Sequence, residues 1–493
     1  MSTEPADLVA EIRRIATEAT RLAGDGDLGP SVTAAVQRLD EPLRVAIAGR
    51  TKAGKSTLLN ALVGERLAAT DASECTRIVT WYRHAVGYRV VAELRPDGIA
   101  ELPFRRQDGA LQIELGERDQ STIERIEVGW PARTLAELTL IDTPGLGSAD
   151  EGTSARTTEA LLDEDGDRPG EADAVIYLMR HLHRYDAQFL EAFLDRSLVH
   201  ASPINAVVVL SRADEIGAAR PDALESAAIV ATRYGTDRRI RELASAVVPI
   251  SGLIAETGAT LREGQVAWLR QIARLDADRR DALLRSVDRF RDADLNPLGS
   301  DIREELLERF GLFGLRLAIR LLVEGRVGTA TELSDALLET SGIRDLQRIL
   351  ADRFAGRSDA LKARSALAAL RGVADELARR GVPGANGLAA DIERVEAGSE
   401  QLALLRLLHL VLTGSIEVTP DERLEIDRLT GPGPSAGRAG LAADASPEAI
   451  QKSALGAIER WRRRAASPLS DRLTIEATDI VIHAYEQIHA ASA

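Results

Sequence analysis

The sequence predicts an α/β domain, a mostly parallel sheet with helices on both faces, joined to an all-α helical bundle. Three observations predict it. Between about residues 43 and 251, short β-rich runs alternate with helical stretches, as strands spaced by crossover helices do. After Gly258 the β signal nearly vanishes and helical periodicity takes over. A glycine-rich loop, Gly49-Arg50-Thr51-Lys52-Ala53-Gly54-Lys55-Ser56, stands between the first β-rich run and a helical run, where a phosphate-binding turn belongs.

Residues 6–23 place Leu8, Ile12, Ile15, Ala19 and Leu22 in alternating steps of four and three. That spacing makes a helix with one narrow apolar stripe, the seam of a bundle. The run Gly24-Asp25-Gly26-Asp27-Leu28-Gly29-Pro30 reads as the loop that ends it. The β-rich runs at 43–48, 138–141, 174–178, 206–210 and 246–250 supply the parallel sheet. Between 79 and 131, Val, Ile, Tyr and Trp alternate with polar residues, which predicts an insertion of antiparallel strands. Helical patterns follow at 259–292, 299–324, 330–354, 358–380, 387–413, 420–429, 446–466 and 470–491. Gly431-Pro432-Gly433-Pro434-Ser435-Ala436-Gly437 is a flexible loop among them. The expected organisation is a helix in 1–40, a nucleotide-binding domain in 41–258 and a helical neck and trunk in 259–493.

Composition agrees with this. A chain of 493 residues exceeds one core and implies two or three domains. Aromatics at 3% beside abundant Ala, Leu, Arg and Glu favour helix over an all-β architecture. A net charge of −15 argues against nucleic acid as a partner and against whole-surface attraction to anionic lipid, leaving room only for a local basic patch. A single cysteine, Cys75, excludes an internal disulfide and points to a reducing, cytoplasmic compartment. The acidic start of the chain lacks the basic-then-apolar pattern of a secretory leader. The longest apolar runs, 402–412 and 312–323, are interrupted by Arg406 and His409, and by Arg316 and Arg320. Both fall short of the roughly 20 apolar residues that span a bilayer, so membrane contact is expected to be peripheral.

The loop at 49–56 matches G-x-x-x-x-G-K-[ST] with a strand before it and a helix after it. In that pattern the backbone N–H groups of Gly49, Thr51, Lys52, Ala53, Gly54, Lys55, Ser56 and Thr57 wrap phosphate oxygens, helped by the helix N-terminus. Lys55 then reaches the β- and γ-phosphates, and the Ser56 hydroxyl binds Mg²⁺. Asp142-Thr143-Pro144-Gly145 follows an apolar strand: Asp142 is expected to hold Mg²⁺ through a water and the Gly145 N–H to sense the γ-phosphate. Between them lies Cys75-Thr76-Arg77, whose Thr76 is the candidate for a second Mg²⁺ hydroxyl and a water-orienting carbonyl, with Thr80 or Thr70 as alternatives.

Ser211-Arg212-Ala213-Asp214 resembles the [NT]-K-x-D guanine motif. A carboxylate at Asp214 can accept both N1–H and N2–H₂ of guanine, a donor pair that adenine lacks, so GTP rather than ATP is the expected substrate. Arg212 stands where lysine is usual and its planar group suits stacking on a base. Ser211 replaces the usual Asn or Thr, and a helix-capping serine beside a surface aspartate is the bland alternative. Ser251 and Gly252, after the last β-rich run, sit where a base-contacting loop is placed. Leu146 follows the D-T-P-G run in place of a water-orienting glutamine, so the remaining catalytic group must come from elsewhere.

Together these motifs resemble those of the bacterial dynamin-like proteins, and within them the isoniazid-inducible Ini group of actinobacteria. The runs Ala53-Gly54-Lys55-Ser56-Thr57-Leu58, Thr76-Arg77-Ile78-Val79-Thr80-Trp81, Ser211-Arg212-Ala213-Asp214-Glu215-Ile216-Gly217 and Trp461-Arg462-Arg463-Arg464-Ala465-Ala466 carry the resemblance. It implies a GTPase domain on a helical neck and trunk, with the N-terminal helix packed on C-terminal helices. It also implies self-association through the GTPase domains, a paralogous partner, and membrane remodelling by fission or fusion at the inner face of the plasma membrane. Lys52 occupies the loop position where relatives place a cation-coordinating serine or an arginine or lysine finger, and it is the candidate finger here. The competing function is a regulatory or scaffold GTPase whose helical arm binds a protein and never touches lipid; an ATPase motor is a third.

Two further features stay open at this level. Residues 402–412 suit an insertion tip or a buried bundle helix, and Trp461–Arg464 suits a lipid-phosphate patch or a solvated helix face. His181 and His183 lack companion ligands and read as structural.

Overall fold

The computed structural model describes residues 5–24, 26–68, 78–95, 98–107, 110–116, 118–144, 172–180, 203–295, 297–431 and 433–492. Thr70, Cys75, Thr76, Gly145, Leu146, His181 and His183 lie outside the described residues.

β1 (Leu43–Gly49) is the spine of a nine-stranded sheet. β8 (Leu138–Asp142) and β9 (Ala174–Met179) flank it in parallel, with Ile47 opposite Asp142 and Gly49 opposite Leu178. β10 (Ala206–Ser211) and β11 (Ala246–Ile250) continue the parallel run beyond β9. β9 and β10 are buried at every position, which is why they read as unbroken apolar runs instead of alternating ones.

The insertion does not form a sheet of its own. β2 (Thr80–His84), β3 (Arg89–Leu94), β4 (Ile99–Glu101) and β7 (Ile123–Trp130) extend the main sheet in the order β11-β10-β9-β1-β8-β2-β7-β3-β4. Antiparallel pairing holds for β2 with β8, β3 with β7 and β3 with β4, but β2 and β7 run parallel. β5 (Phe104–Gln107) and β6 (Ala110–Ile113) make a separate hairpin.

Two helices precede the sheet, where the sequence pattern suggested one. After α1 (Pro5–Ala23), α2 (Gly29–Asp40) begins inside the stretch read as loop. Pro30 opens it, its missing N–H falling among the first-turn donors that have no intrahelical partner anyway. Within the domain lie α3 (Lys55–Val63), α4 (Arg133–Glu137), α5 (Ala223–Thr236), α6 (Arg238–Leu243) and α7 (Gly252–Ala259).

Past residue 259 the chain is helical. The pattern at 259–292 resolves into α8 (Glu263–Ala273), α9 (Ala277–Leu283) and α10 (Val287–Arg291). The side chains of Asp276 and Ser286 cap the second and third and so reset the helix each time. α11 (Ser300–Val323) is broken at Gly311, and α12 (Ala330–Thr340) leads through α13 (Ile343–Ile349) to α14 (Ser358–Arg379). α15 (Ala385–Gly398) and α16 (Glu400–Leu412) part at Ser399, whose hydroxyl accepts from the Leu402 N–H. α17 (Pro420–Leu429), α18 (Ser435–Arg438), α19 (Pro447–Ala465) and α20 (Arg472–Ala491) complete the chain.

These helices fill three cores. α8 to α12 pack against α7, and α1 and α2 pack against α14 and α15. α16 to α20 form the third core, though Leu405, Leu408 and Leu412 of α16 join the sheet's own core. Residues 402–412 are thus a buried helix; Leu407, Leu408 and Val411 leave no apolar face for a lipid tip. Asp173, just before β9, ties the first helices to the sheet. It pairs with Arg38 of α2 and accepts from the Arg44 N–H at 2.9 Å. Lys362 of α14 donates to the Leu39 and Glu41 carbonyls at 3.0 and 3.2 Å. No described helix is long and apolar enough to cross a membrane.

Candidate functional site

The site forms where β1, β8, β9 and β10 end. At the exit of β1, Gly49 has φ 146°, and a Cβ there would lie 2.5 Å from the Leu178 carbonyl oxygen, so no larger residue fits this close approach. The loop then turns back into α3, whose N-terminus carries no side-chain cap. Its first N–H groups are left for an external acceptor, and the helix dipole favours an anionic one.

Lys55 is buried at that terminus with Nζ 3.3 Å from the Gly49 carbonyl oxygen. Burial pushes its pKa down, and the charge of Asp142 opposes the shift. A phosphate group would restore the compensation that water no longer gives. Lys52 is exposed and left-handed, φ 63°. Arg180 and Arg212 each donate to its carbonyl oxygen at 3.2 Å. Thr51 is exposed, Ala53 is buried, and the Thr57 side chain packs against Gly252, where a Cβ would lie 3.6 Å from its Cγ2.

Asp142, at the end of β8, accepts from the Ser56 hydroxyl at 3.0 Å through Oδ2. Its Oδ1 is buried with no hydrogen-bond partner among the described residues. Burial drives its pKa up, against Lys55 and the Ser56 hydroxyl. A hard cation with oxygen ligands suits this pair: it would satisfy the orphaned oxygen and favour the ionised carboxylate. No group of three or more His, Cys, Asp or Glu that could hold a metal occurs among the described residues. Thr80 stands opposite Asp142 across β2 and β8, but its hydroxyl donates to the Ile78 carbonyl at 3.3 Å.

At the end of β10, Ser211 does not cap a helix; its hydroxyl fastens β10 to β9 through the Met179 carbonyl at 3.2 Å. Arg212 is left-handed, φ 53°, and its guanidinium bonds Glu215 at 2.6 Å as well as the Lys52 carbonyl. Asp214 is 8% exposed. Burial raises its pKa, while the Ser251 hydroxyl hydrogen-bonds it and pulls the value back. Ser251 is wholly buried and caps α7 by accepting from the Ile254 N–H. Asp214, Ser211, Arg212, Gly252 and Thr57 share a cavity of about 140 Å³ with Leu178 and Leu253. Of two roomier clefts, one of about 690 Å³ lies among the C-terminal helices and one of about 580 Å³ lies between the Ala218–Pro221 turn and α11; neither includes a residue of the 49–57 loop.

The strand ends thus gather Gly49 to Thr57, Asp142, Ser211, Arg212, Asp214, Ser251 and Gly252 at one edge of the sheet. Two contributors escaped the sequence reading. Thr143 donates to the Ile47 carbonyl at 2.9 Å and fixes the end of β8 to β1; Arg180 holds Lys52. Thr143 belongs to the D-T-P-G run, which could have signalled it; Arg180 follows β9 with no motif around it.

A family model described as 50S ribosome-binding GTPase matches residues 44–211. Over 456 residues the chain is 39% identical to isoniazid-induced protein IniC of Mycobacterium tuberculosis (strain ATCC 25618 / H37Rv), covering 92% of this chain and 91% of that one. The chain belongs to the IniC family. A shorter match, 31% identical over 192 residues, covers 37% of this chain and 28% of isoniazid-induced protein IniA from the same strain. A solved structure of an oligomerised bacterial dynamin pair, described as a mechanism for long-range sensing and tethering of membranes, covers 100% of this chain and 75% of its own at 14% identity and a TM-score of 0.35. In this IniC-family chain the GTPase domain carries the glycine-rich loop, the buried Asp142 of β8 and the buried Asp214 at one end of the strands.

Proposed function

We propose that this chain binds GTP with Mg²⁺ and hydrolyses it to GDP and phosphate. The observation that carries the reading is the joining of two halves: an amide-and-lysine cradle at 49–57 beside the orphaned Asp142 oxygen, and a buried Asp214 in a cavity opening on the same loop. The cradle amides and Lys55 hold the triphosphate and compensate the charge that builds on the leaving phosphate oxygens. Ser56 and Asp142, with Thr76, would hold Mg²⁺, which when bound supplies positive charge at the β- and γ-phosphates. The Thr76 carbonyl would orient the attacking water, and the Gly145 N–H would sense the γ-phosphate. Lys52 is the proposed finger: its backbone is pinned by Arg180 and Arg212 while its side chain stands free to turn onto phosphate when two GTPase domains meet. Asp214 reads guanine through two N–H donors, with Ser251 holding its carboxylate.

Calorimetry with GTP, GDP and ATP, with and without Mg²⁺, tests this directly. The expected result is magnesium-dependent GTP binding that ATP does not compete with. Heat-silent titration with GTP at saturating magnesium would remove the basis for everything that follows.

Beyond hydrolysis, the reading extends to membrane remodelling by a peripheral, cytoplasmic protein that self-associates through its GTPase domains and works beside a paralogue of the IniA kind. Support comes from the turn between α19 and α20, where Leu469 is 95% exposed, Leu473 and Ile475 are partly so, and Arg463 and Arg472 stand exposed nearby. That turn lies one helix length, about 30 Å, from the end of α20. The second reading, a scaffold GTPase without lipid contact, draws on the rest of the arginine cluster. Trp461 is core, and Arg462 and Arg464 are engaged by Glu486 and Glu422. Liposome co-sedimentation with a non-hydrolysable GTP analogue separates the two. Pelleting that Leu469→Asp abolishes supports the first, and no pelleting under any nucleotide supports the second.

A further inference from the structure

Four non-glycine residues of the described chain hold positive φ, and all four lie in or next to the nucleotide site. Lys52 and Arg212 are two of them. The others, Ala218 at 62° and Ala219 at 57°, follow Gly217 at 66°. Three consecutive left-handed residues therefore begin three positions after Asp214. Alanine has no polar side chain to offset the clash of its Cβ in this region. Something outside the turn must hold it there.

Arg316 of α11 meets that need. Its Nη1 donates to the Ala219 carbonyl at 2.7 Å, its Nε to the Leu284 carbonyl at 2.8 Å, and its Nη2 to the Arg285 carbonyl at 3.1 Å. No carboxylate pairs with it among the described residues, and burial lowers its pKa. The guanidinium thus serves as a three-way clamp on backbone, a task its planar fork suits and an ammonium group does not. The left-handed turn is in turn bonded to the base motif: the Ala218 and Ala219 N–H groups donate to the Glu215 carbonyl at 3.1 and 3.4 Å.

The same helix also packs against a residue that lines the Asp214 cavity. At Gly311, φ 60°, α11 breaks, and a Cβ there would lie 3.2 Å from Leu253 Cδ2. Leu253 lines the cavity together with Asp214. One helix of the helical region thus bonds the turn after Asp214 and packs against a residue that lines the same cavity.

We infer that Arg316 is a positioning residue for base selection: by clamping the Gly217–Ala219 turn it sets where the Asp214 carboxylate stands, and so couples α11 to guanine recognition. This rests on the guanine reading of Asp214. The discriminating contact is the N2 amine, which guanine has and hypoxanthine lacks.

The experiment compares dissociation constants for GDP and IDP on the full chain. Wild type is expected to prefer GDP. Arg316→Ala should lose most of that preference, by about fivefold or more, through weaker GDP binding with IDP little changed. Arg316→Lys should lose it too, since one amine cannot span three carbonyls. Ala219→Gly added to Arg316→Ala should restore part of it, because glycine takes the left-handed conformation without a clamp. An unchanged GDP-to-IDP ratio in either Arg316 variant that melts cooperatively overturns the inference while leaving guanine recognition intact. So does an equal weakening of both nucleotides, which is what simple destabilisation would give. A wild type with no preference for GDP over IDP overturns the guanine reading itself.

Discussion

The nucleotide edge of the sheet and the α16–α20 core are built on opposite terms. Among the described residues, the first holds all four left-handed non-glycine positions, a buried lysine without a tight partner and a carboxylate oxygen with none. In the second, Ser399, Thr419, Ser446 and Asp471 cap helices with their side chains. Several of its arginines are paired: Arg438 with Glu400, Arg406 with Glu476, and Arg460 with a Glu425 that also accepts from the Tyr485 hydroxyl. Its only orphaned buried side-chain atom among the described residues is Gln401 Oε1. Strain and missing partners mark where a ligand is to complete the structure; their near absence marks a part built to hold its shape. Substitutions should therefore separate function from stability along this division.

The largest separation is expected from Lys55→Ala, which should lower GTP turnover about 10³-fold. The melting temperature without ligand should not fall, because burial already disfavours that charge; a scanning-calorimetry trace beside a phosphate-release assay checks both. Leu407→Ala, at a position with no solvent exposure in the α16–α20 core, should cost about 3 kcal/mol of stability. The GDP dissociation constant should stay at the wild-type value; a loss of nucleotide binding in the folded variant would break the division.

Asp214→Asn should weaken GDP binding by about 2 kcal/mol with ADP unaffected. The pH dependence sharpens this. Only the carboxylate accepts two donors, and burial raises its pKa above the ordinary 3.8. If Asp214 reads guanine, the affinity is expected above the raised value and should be lost as pH falls through it, sooner than for an exposed aspartate. A titration with GDP in the absence of magnesium should show that limb in wild type and not in Asp214→Asn. The smallest effect is expected from Thr419→Ala, which removes a capping box on α17 and should cost about 1 kcal/mol with turnover unchanged.

Much of the site was legible because strand-loop-helix motifs concentrate their chemistry in adjacent residues. Gly49 to Ser56, Asp142 and Asp214 could all be named from spacing, and the sheet edge brings them together. What the sequence hid depends on three-dimensional company. Arg180 and Arg316 act on carbonyls 128 and 97 residues away, and no local pattern announces such a bond. The parallel pairing of β2 with β7 was hidden for the same reason, since alternation reveals which face is buried but not which neighbour a strand takes. α2 is a different miss: Val32, Ala35, Val36 and Leu39 carry a helical stripe, but the loop reading of residues 24–30 covers its first turn and the stripe beyond went unassigned. Pro30 is better understood as a helix opener.

The clamp of α14 on the segment after α2 also constrains how the molecule is made. Lys362 bonds the Leu39 carbonyl across 323 residues. A nascent chain emerging at 5–20 residues per second leaves the apolar stripes of α1 and α2 without their mates for roughly 15–65 s. During that interval the two helices are a hydrophobic hairpin that chaperones or a neighbouring polysome chain can capture. Early stop codons anywhere before α14 should consequently yield aggregates, even when they preserve the complete sheet.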